Sequence, residues 1–345
     1  MIFNNYYQRT KLKKKIFITG GAGYCGSLLV PILLELGHQI TVYDIMYFTD
    51  NYLNKSNKNL KIIKGDIRES KKIEHECKNH DIFINLACIS NDASFELDEN
   101  LSTSINLHAF EPMVIAAKKS GIKRFIYASS SSVYGISDKK NVTEDHELVP
   151  LTLYNKYKGM CEPLLLKHTD NNFIGVIFRP ATVCGYAPRL RLDLSVNILT
   201  NHAVLREKIT VFGGDQLRPN LHVRDYCNAV VALINAEDNK IKNEIFNVGY
   251  QNLSIKNIAL IVKKIVEKNF PDRKQIQIET TKSDDSRSYH INSDKIKKIL
   301  NFEPKLTIED AVNDLCKQFK LGKIKNSLEN DIFYNVRTLK KINAK

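Results

Sequence analysis

A chain of 345 residues that is 43% hydrophobic can bury one large core or two modest ones. No apolar run is long enough to span a bilayer, and residues 1–15 are polar and then basic, without the apolar stretch of a signal peptide, so a cytoplasmic protein is expected. The formal charge is +13, yet the lysines are spread over the predicted helix surfaces (Lys118-Lys119, Lys263-Lys264, Lys297-Lys298) and form no compact basic block, which argues against nucleic-acid binding.

The first predicted strand, 15–19, carries Ile16-Phe17-Ile18 and runs into Thr19-Gly20-Gly21-Ala22-Gly23-Tyr24-Cys25-Gly26; residues 27–36 then follow a helical pattern. A strand that turns through glycines into a helix lets bare backbone approach a pyrophosphate. The helix N-terminus adds unpaired N–H groups and partial positive charge. The next strand, 39–43, ends at Asp44, 18 residues beyond Gly26. A carboxylate there accepts from both hydroxyls of an adenosine ribose and repels a 2′-phosphate, so NAD(H) is expected rather than NADP(H).

Further strands at 60–63, 81–85, 124–128 and 173–178 alternate with helical patterns such as 106–120 and 154–168. That alternation predicts an α/β fold, a Rossmann-type doubly wound parallel sheet covered on both faces. From about residue 180, Pro180, Gly185, Pro188, Gly213-Gly214 and Pro219 break the regularity, as in a smaller, loop-rich lobe. A strand at 244–248 returns to the main sheet. The expected division is a dinucleotide domain at 12–180 plus about 222–250, an interwoven substrate lobe at 181–221 and 251–330, and a basic tail at 1–11.

The chemistry concentrates in two places. Ser129-Ser130-Ser131-Ser132 follows the strand 124–128, and ligands of doubly wound sheets bind beyond the carboxyl ends of strands. Tyr154 and Lys158 are four residues apart on a predicted helix and share one face. A free tyrosine titrates near ~10 and is a poor base at neutral pH, but an adjacent ammonium and a cationic nicotinamide ring favour the phenolate. Such a tyrosine can take a proton from a substrate hydroxyl while the carbon gives up a hydride. The spacing alone says little, since Tyr7 and Lys11 share it; position after the serine-bearing strand selects Tyr154. The seven cysteines show no metal-type pairing, so free thiols and no metal are expected.

Taken as an ordered set, these motifs resemble the extended short-chain dehydrogenase/reductases, in the NAD-dependent epimerase/dehydratase group that acts on nucleotide sugars. The matching residues are Thr19–Gly26, Asp44, Gly65-Asp66-Ile67-Arg68, Asn85-Leu86-Ala87, the serine run closing on Val133-Tyr134-Gly135, Tyr154/Lys158, Arg179-Pro180, and Arg218 through Asp225, covering roughly residues 14–305. The resemblance implies that Gly20, Gly23, Tyr24, Cys25, Gly26 and Asp44 hold the cofactor. It also puts Asp66 and Ile67 at the adenine, and Leu86, Ala87, Cys88 and Asn106 along the nicotinamide–ribose path. Ser130 falls at the catalytic Ser/Thr position, Tyr154 is the general base/acid and also meets the cofactor, and Lys158 binds the nicotinamide ribose. Ser130, Ser131, Thr182, Arg189 and Arg218 are expected at the substrate, Arg218 gripping its pyrophosphate with Arg287 as a second candidate. A homodimer is also implied.

Departures refine the expectation. The dehydratases of this group carry Asp-Glu right after the catalytic Thr, for the added acid and base that elimination needs; here Ser131 and Ser132 stand there. Dehydration is therefore disfavoured. A C4 epimerase and a nucleotide-sugar dehydrogenase or keto-sugar reductase use the same Ser/Tyr/Lys set, so both remain open. A non-enzymatic dinucleotide sensor would typically lack the tyrosine or the lysine. Cys25 and Cys88 read as packing residues.

Overall fold

The computed structural model describes residues 13–137, 139, 141–282, 288 and 290–345. Tyr7, Lys11, the tail 1–11 and Arg287 lie outside the described residues.

Strands β1 (Lys15–Thr19), β2 (Gln39–Asp44), β3 (Leu60–Lys64), β4 (Ile82–Asn85), β5 (Arg124–Ala128) and β6 (Ile174–Pro180) begin the chain's order. The short β7 (Thr182–Cys184), β8 (Lys208–Phe212) and β9 (Leu217–His222) follow, then β10 (Ile245–Val248), β11 (Gln251–Ser254) and β12 (Gln277–Thr281). Among the described residues, seven strands form one sheet in the order β10-β6-β5-β4-β1-β2-β3, every pairing parallel. The order reverses between β1 and β4, which opens a crevice beyond their carboxyl ends.

Buried parallel strands are apolar on both faces. Ile16 and Ile18 of β1 pack with the helices Tyr24–Glu35 and Val223–Asn235. Phe17, between them, faces the other side, where Phe17–Phe83 and Phe83–Phe125 ring centroids stand 5.1 and 4.7 Å apart beneath the helix Phe110–Lys119.

The second lobe is built on the helices Ser195–Arg206, Ile255–Asn269 and Ile308–Lys320 around their own apolar core. It adds two small sheets, β11-β9-β7 and β12-β8. Residues 331–345, assigned to neither lobe in the sequence reading, end in the helix Asn335–Lys341, and Leu339 joins the core under the main sheet. The pattern at 106–120 is one helix in sequence terms but two pieces in the structure: a π-helical turn Ser104–His108, then Phe110–Lys119. Among the described residues, no helix is long and apolar enough to cross a membrane, and no group of three or more His, Cys, Asp or Glu side chains is placed to hold a metal ion.

Candidate active site

A cleft of about 810 Å³ runs from the ends of β1 and β2, past the ends of β4 and β5, into the second lobe. Its floor is the glycine turn. Gly20 has φ +74°, and a Cβ there would sit 2.6 Å from the Ala87 backbone nitrogen, so β1 and β4 can meet only through a bare backbone. A Cβ on Gly26 would lie 2.4 Å from the Gly21 carbonyl oxygen, which fixes glycine where the helix crosses the turn. Gly23 caps the helix Tyr24–Glu35 without a side chain, leaving its N-terminal N–H groups open to the cleft. Tyr24 ties this turn to the second lobe, donating to the Gly185 carbonyl oxygen at 2.6 Å. Cys25 and Cys88 line the cleft, and burial pushes the Cys25 thiol up to about 12, so it stays protonated.

Asp44 ends β2 on the cleft wall. Its Oδ2 accepts from the Ala22 N–H at 3.0 Å and its Oδ1 from the Met46 N–H at 2.8 Å. Burial lifts its carboxyl above the usual range, against the pull of those two N–H groups. Asp66 and Ile67 line the same end. Burial would raise the Asp66 carboxyl, but Arg68, which grips it through two nitrogens, holds it below the usual range.

Beyond β4, Leu86 and Ala87 line the crevice, and Asn85 Oδ1 sets their turn by accepting from Thr19 Oγ1 at 2.8 Å and the Ala87 N–H at 3.1 Å. Asn106 is not on the cleft wall. It is buried behind it, accepting from the Ile89 N–H at 2.8 Å and donating to the Ile89 carbonyl at 2.9 Å, so it holds the segment after β4 rather than facing a ligand.

The serine run is pinned at both ends. Ser129 donates to Glu162 Oε1 at 2.6 Å, and Glu162 receives Arg179 through two nitrogens at 2.9 and 2.6 Å, all buried. At the other end the Tyr134 hydroxyl accepts from Arg179 at 2.7 Å and donates to Asn247 at 2.7 Å. Between these anchors Ser130 Oγ lies 2.7 Å from Ser132 Oγ, which donates to Asn155 Oδ1 at 2.5 Å. With the Ser132 proton committed to Asn155, the Ser130 hydroxyl donates to Ser132. Ser130, Ser131 and Ser132 all line the cleft.

Tyr154 and Lys158 stand one turn apart on the helix Leu153–Leu166, and both line the cleft. Thr152 caps that helix, accepting from the Asn155 N–H, and donates to Asp92 at 2.6 Å. Lys158 is buried, its Nζ donating to the Ala128 carbonyl at 2.8 Å. Arg191 interacts electrostatically with Tyr154 and is held by Asp193 at 2.9 and 3.1 Å. Burial would lower the Arg191 guanidinium, but Asp193 carries it above its ordinary value.

Thr182 and Arg218 line the far half of the cleft, with Arg218 on β9. Arg206 and the 60% exposed ring of Phe212 flank the same region, two residues that no motif marked. Arg189, expected beside the sugar, instead reaches the Asp44 end, where its guanidinium lies 3.9 Å from the Phe48 ring centroid.

The glycine cradle, the open helix N-terminus, Asp44 and the buried Lys158 fit a dinucleotide along the near half of the cleft. Comparison with known proteins agrees. The model of the NAD-dependent epimerase/dehydratase family matches residues 16–249. The UDP-N-acetyl-alpha-D-glucosaminuronate decarboxylase of Bacillus cytotoxicus is 28% identical, over 93% of this chain and 100% of its own. The low-salt glycan biosynthesis protein Agl12 of Haloferax volcanii is 26% identical, over 89% of this chain and 98% of its own. Among solved structures, UDP-glucuronic acid 4-epimerase from Bacillus cereus, in complex with UDP-glucuronic acid and NAD, superposes with a TM-score of 0.79 at 25% identity, covering 89% of this chain and 99% of its own.

Proposed function

Because the chain belongs to the NAD-dependent epimerase/dehydratase family, we propose that it is a nucleotide-sugar epimerase that inverts a hydroxyl-bearing ring carbon, C4 in the first instance. The observation that carries this reading is the chain from Ser130 through Ser132 to Asn155. Elimination of water needs an added acid and base beside the reacting carbon, and here the two positions after Ser130 hold hydroxyls. The carboxylates on the cleft wall nearest the second lobe are already engaged, Asp193 by Arg191 and Asp92 by Thr152.

The bound dinucleotide supplies a reversible hydride acceptor. Tyr154 takes the proton from the sugar hydroxyl and returns it to the carbonyl oxygen once the ring presents its other face. The positive charges of Lys158 and Arg191 favour its phenolate. An ammonium carries three donors, so Lys158 keeps two beyond Ala128 for ribose hydroxyls. With substrate bound, the Ser130 hydroxyl turns from Ser132 to donate to the reacting oxygen and orients it. Arg218 and Arg206 meet the sugar nucleotide's diphosphate, and Phe212 offers a face to its base.

The test is incubation with UDP-glucose, UDP-galactose, UDP-glucuronate, UDP-N-acetylglucosamine and dTDP-glucose, with products read by mass spectrometry and NMR. A product of unchanged mass with one inverted centre is expected. Loss of carbon dioxide, loss of water, or a two-hydrogen change would each replace the proposal by a decarboxylase, a dehydratase or a net oxidoreductase.

A further inference from the structure

Arg189 belongs to the second lobe by sequence, yet its backbone N–H donates to Ser27 Oγ at 3.0 Å, on the helix that follows the glycine turn. The side chain is 1% exposed and lines the cleft. Its Nη2 donates to Asn335 Oδ1 at 2.5 Å, its face covers Phe48, and its Nε is buried without a partner. Among the described residues, no carboxylate oxygen comes within the 4 Å of an ion pair. The acids that act on it at longer range are occupied, Asp193 by Arg191 and Asp44 by two backbone N–H groups. Burial, reinforced by Arg191, pushes its pKa down to about 9.

A buried guanidinium without a counter-charge is costly, and it persists where something else supplies the anion. The other groups at this end of the cleft are the glycine turn and the N-terminus of the helix Tyr24–Glu35, themselves an anion receptor. Ser27, Asp44 and Phe48, on the dinucleotide side, surround Arg189 together with Arg191, Asp193 and Asn335, whereas Arg206 and Arg218 line the far part of the cleft.

We propose that Arg189 holds the diphosphate of the bound NAD, and that Asn335 fixes its guanidinium in place. The cofactor is then gripped from both lobes and, through Asn335, by the C-terminal helix Asn335–Lys341. Asn335 also receives the second lobe through its N–H to Asp193 at 3.1 Å and reaches Ser90 at 3.0 Å, so one residue ties the segment after β4, the second lobe and the arginine together. An enzyme that must return a hydride to the molecule it came from gains from such retention. The assignment rests on the cofactor class alone and holds whatever sugar is turned over.

The test uses full-length protein stripped of cofactor, with affinities for NAD, ADP-ribose, adenosine and UDP measured by calorimetry. In Arg189→Gln, NAD and ADP-ribose are expected to weaken together by about tenfold or more, as for loss of a charge-assisted contact. Adenosine and UDP should stay within about twofold, and Arg189→Lys should recover part of the loss. Asn335→Ala should give a smaller loss in the same two ligands, and serves alone if Arg189→Gln does not fold. An equal loss for adenosine would mean that the arginine only shapes the cleft and would overturn the assignment. So would a loss for UDP with NAD unchanged, which would return Arg189 to the sugar nucleotide.

Discussion

The Lys158 ammonium donates to the carbonyl oxygen of Ala128 at 2.8 Å, binding the helix that carries Tyr154 to the last residue of β5. The lysine therefore has a structural partner, and the proposed reading gives it a cofactor-facing role as well. Tyr154 is proposed to move the proton, whereas Lys158 also holds the cofactor, so the two residues separate in their variants. Tyr154→Phe should lower kcat by roughly 10²–10⁴ with NAD content unchanged. Lys158→Met should lower kcat as well and also yield protein with less bound NAD. Both are read from initial rates on the substrate that turns over, alongside cofactor released on denaturation. Turnover by Tyr154→Phe at the parental rate would remove the tyrosine from the mechanism.

Glu162 and Arg179 are both buried and joined through two hydrogen bonds, and they position the serine run through Ser129 and Tyr134. Burial alone would lower the Arg179 guanidinium, but Glu162 raises it well above its ordinary value, so the guanidinium stays charged. Removing one partner leaves a buried charge without its mate, which costs about 3–5 kcal/mol. Glu162→Gln should lose that much stability in urea unfolding. The double variant Glu162→Gln/Arg179→Met should recover part of it, because the orphaned charge is gone.

The main sheet was legible because buried parallel strands are continuous apolar runs: β1 and β5 fall on the residues expected, and β2, β3, β4 and β6 within one or two at each end. The second lobe's strands were not. Leu217–His222 and Gln251–Ser254 mix polar with apolar residues, so no apolar run or alternation marks them, although Leu221 and Leu253 reach the apolar cores and the two strands pair with each other. The helix at 106–120 broke because Asn106 turns inward to Ile89, and a π-helical turn carries that residue. In the site, Gly20, Asp44, Ser130, Tyr154 and Lys158 each belong to a spacing within one strand–turn–helix unit. Arg189 and Asn335 meet across 146 residues of sequence, and no local pattern announces such a pair. Asn155 adjoins Tyr154, but only the fold brings it to Ser132.

Acid should release the cofactor earlier than an ordinary aspartate would allow. Burial raises the Asp44 carboxyl, with the N–H groups of Met46 and Ala22 opposing it. In the role proposed for Asp44 the ionised form accepts from the ribose hydroxyls, and protonation removes an acceptor. NAD affinity is therefore full above this raised pKa and falls as the pH drops through it, beginning above the usual carboxylate range. Calorimetric titration between roughly pH 8 and pH 4 checks the slope. Asp44→Asn should bind NAD about tenfold or more weakly at neutral pH, since hydrogen bonds to a charged group are lost, and should show a flatter pH profile. An unchanged profile in that variant would assign the titration to another group.

Ser132 tests the hydroxyl–amide chain directly. Its hydroxyl accepts from Ser130 and donates to Asn155, so Ser132→Ala frees the Ser130 hydroxyl to rotate and leaves Asn155 Oδ1 without that donor. A neutral hydrogen bond of this kind is worth about 1 kcal/mol, which converts to a fall in kcat of roughly fivefold. KM and NAD affinity should hardly move, because Ser132 acts through Ser130. Asn155→Ala should resemble it in kcat, and Ser130→Ala should be the most severe of the three. Equal losses in KM and kcat for Ser132→Ala would place its hydroxyl on the substrate itself rather than behind Ser130.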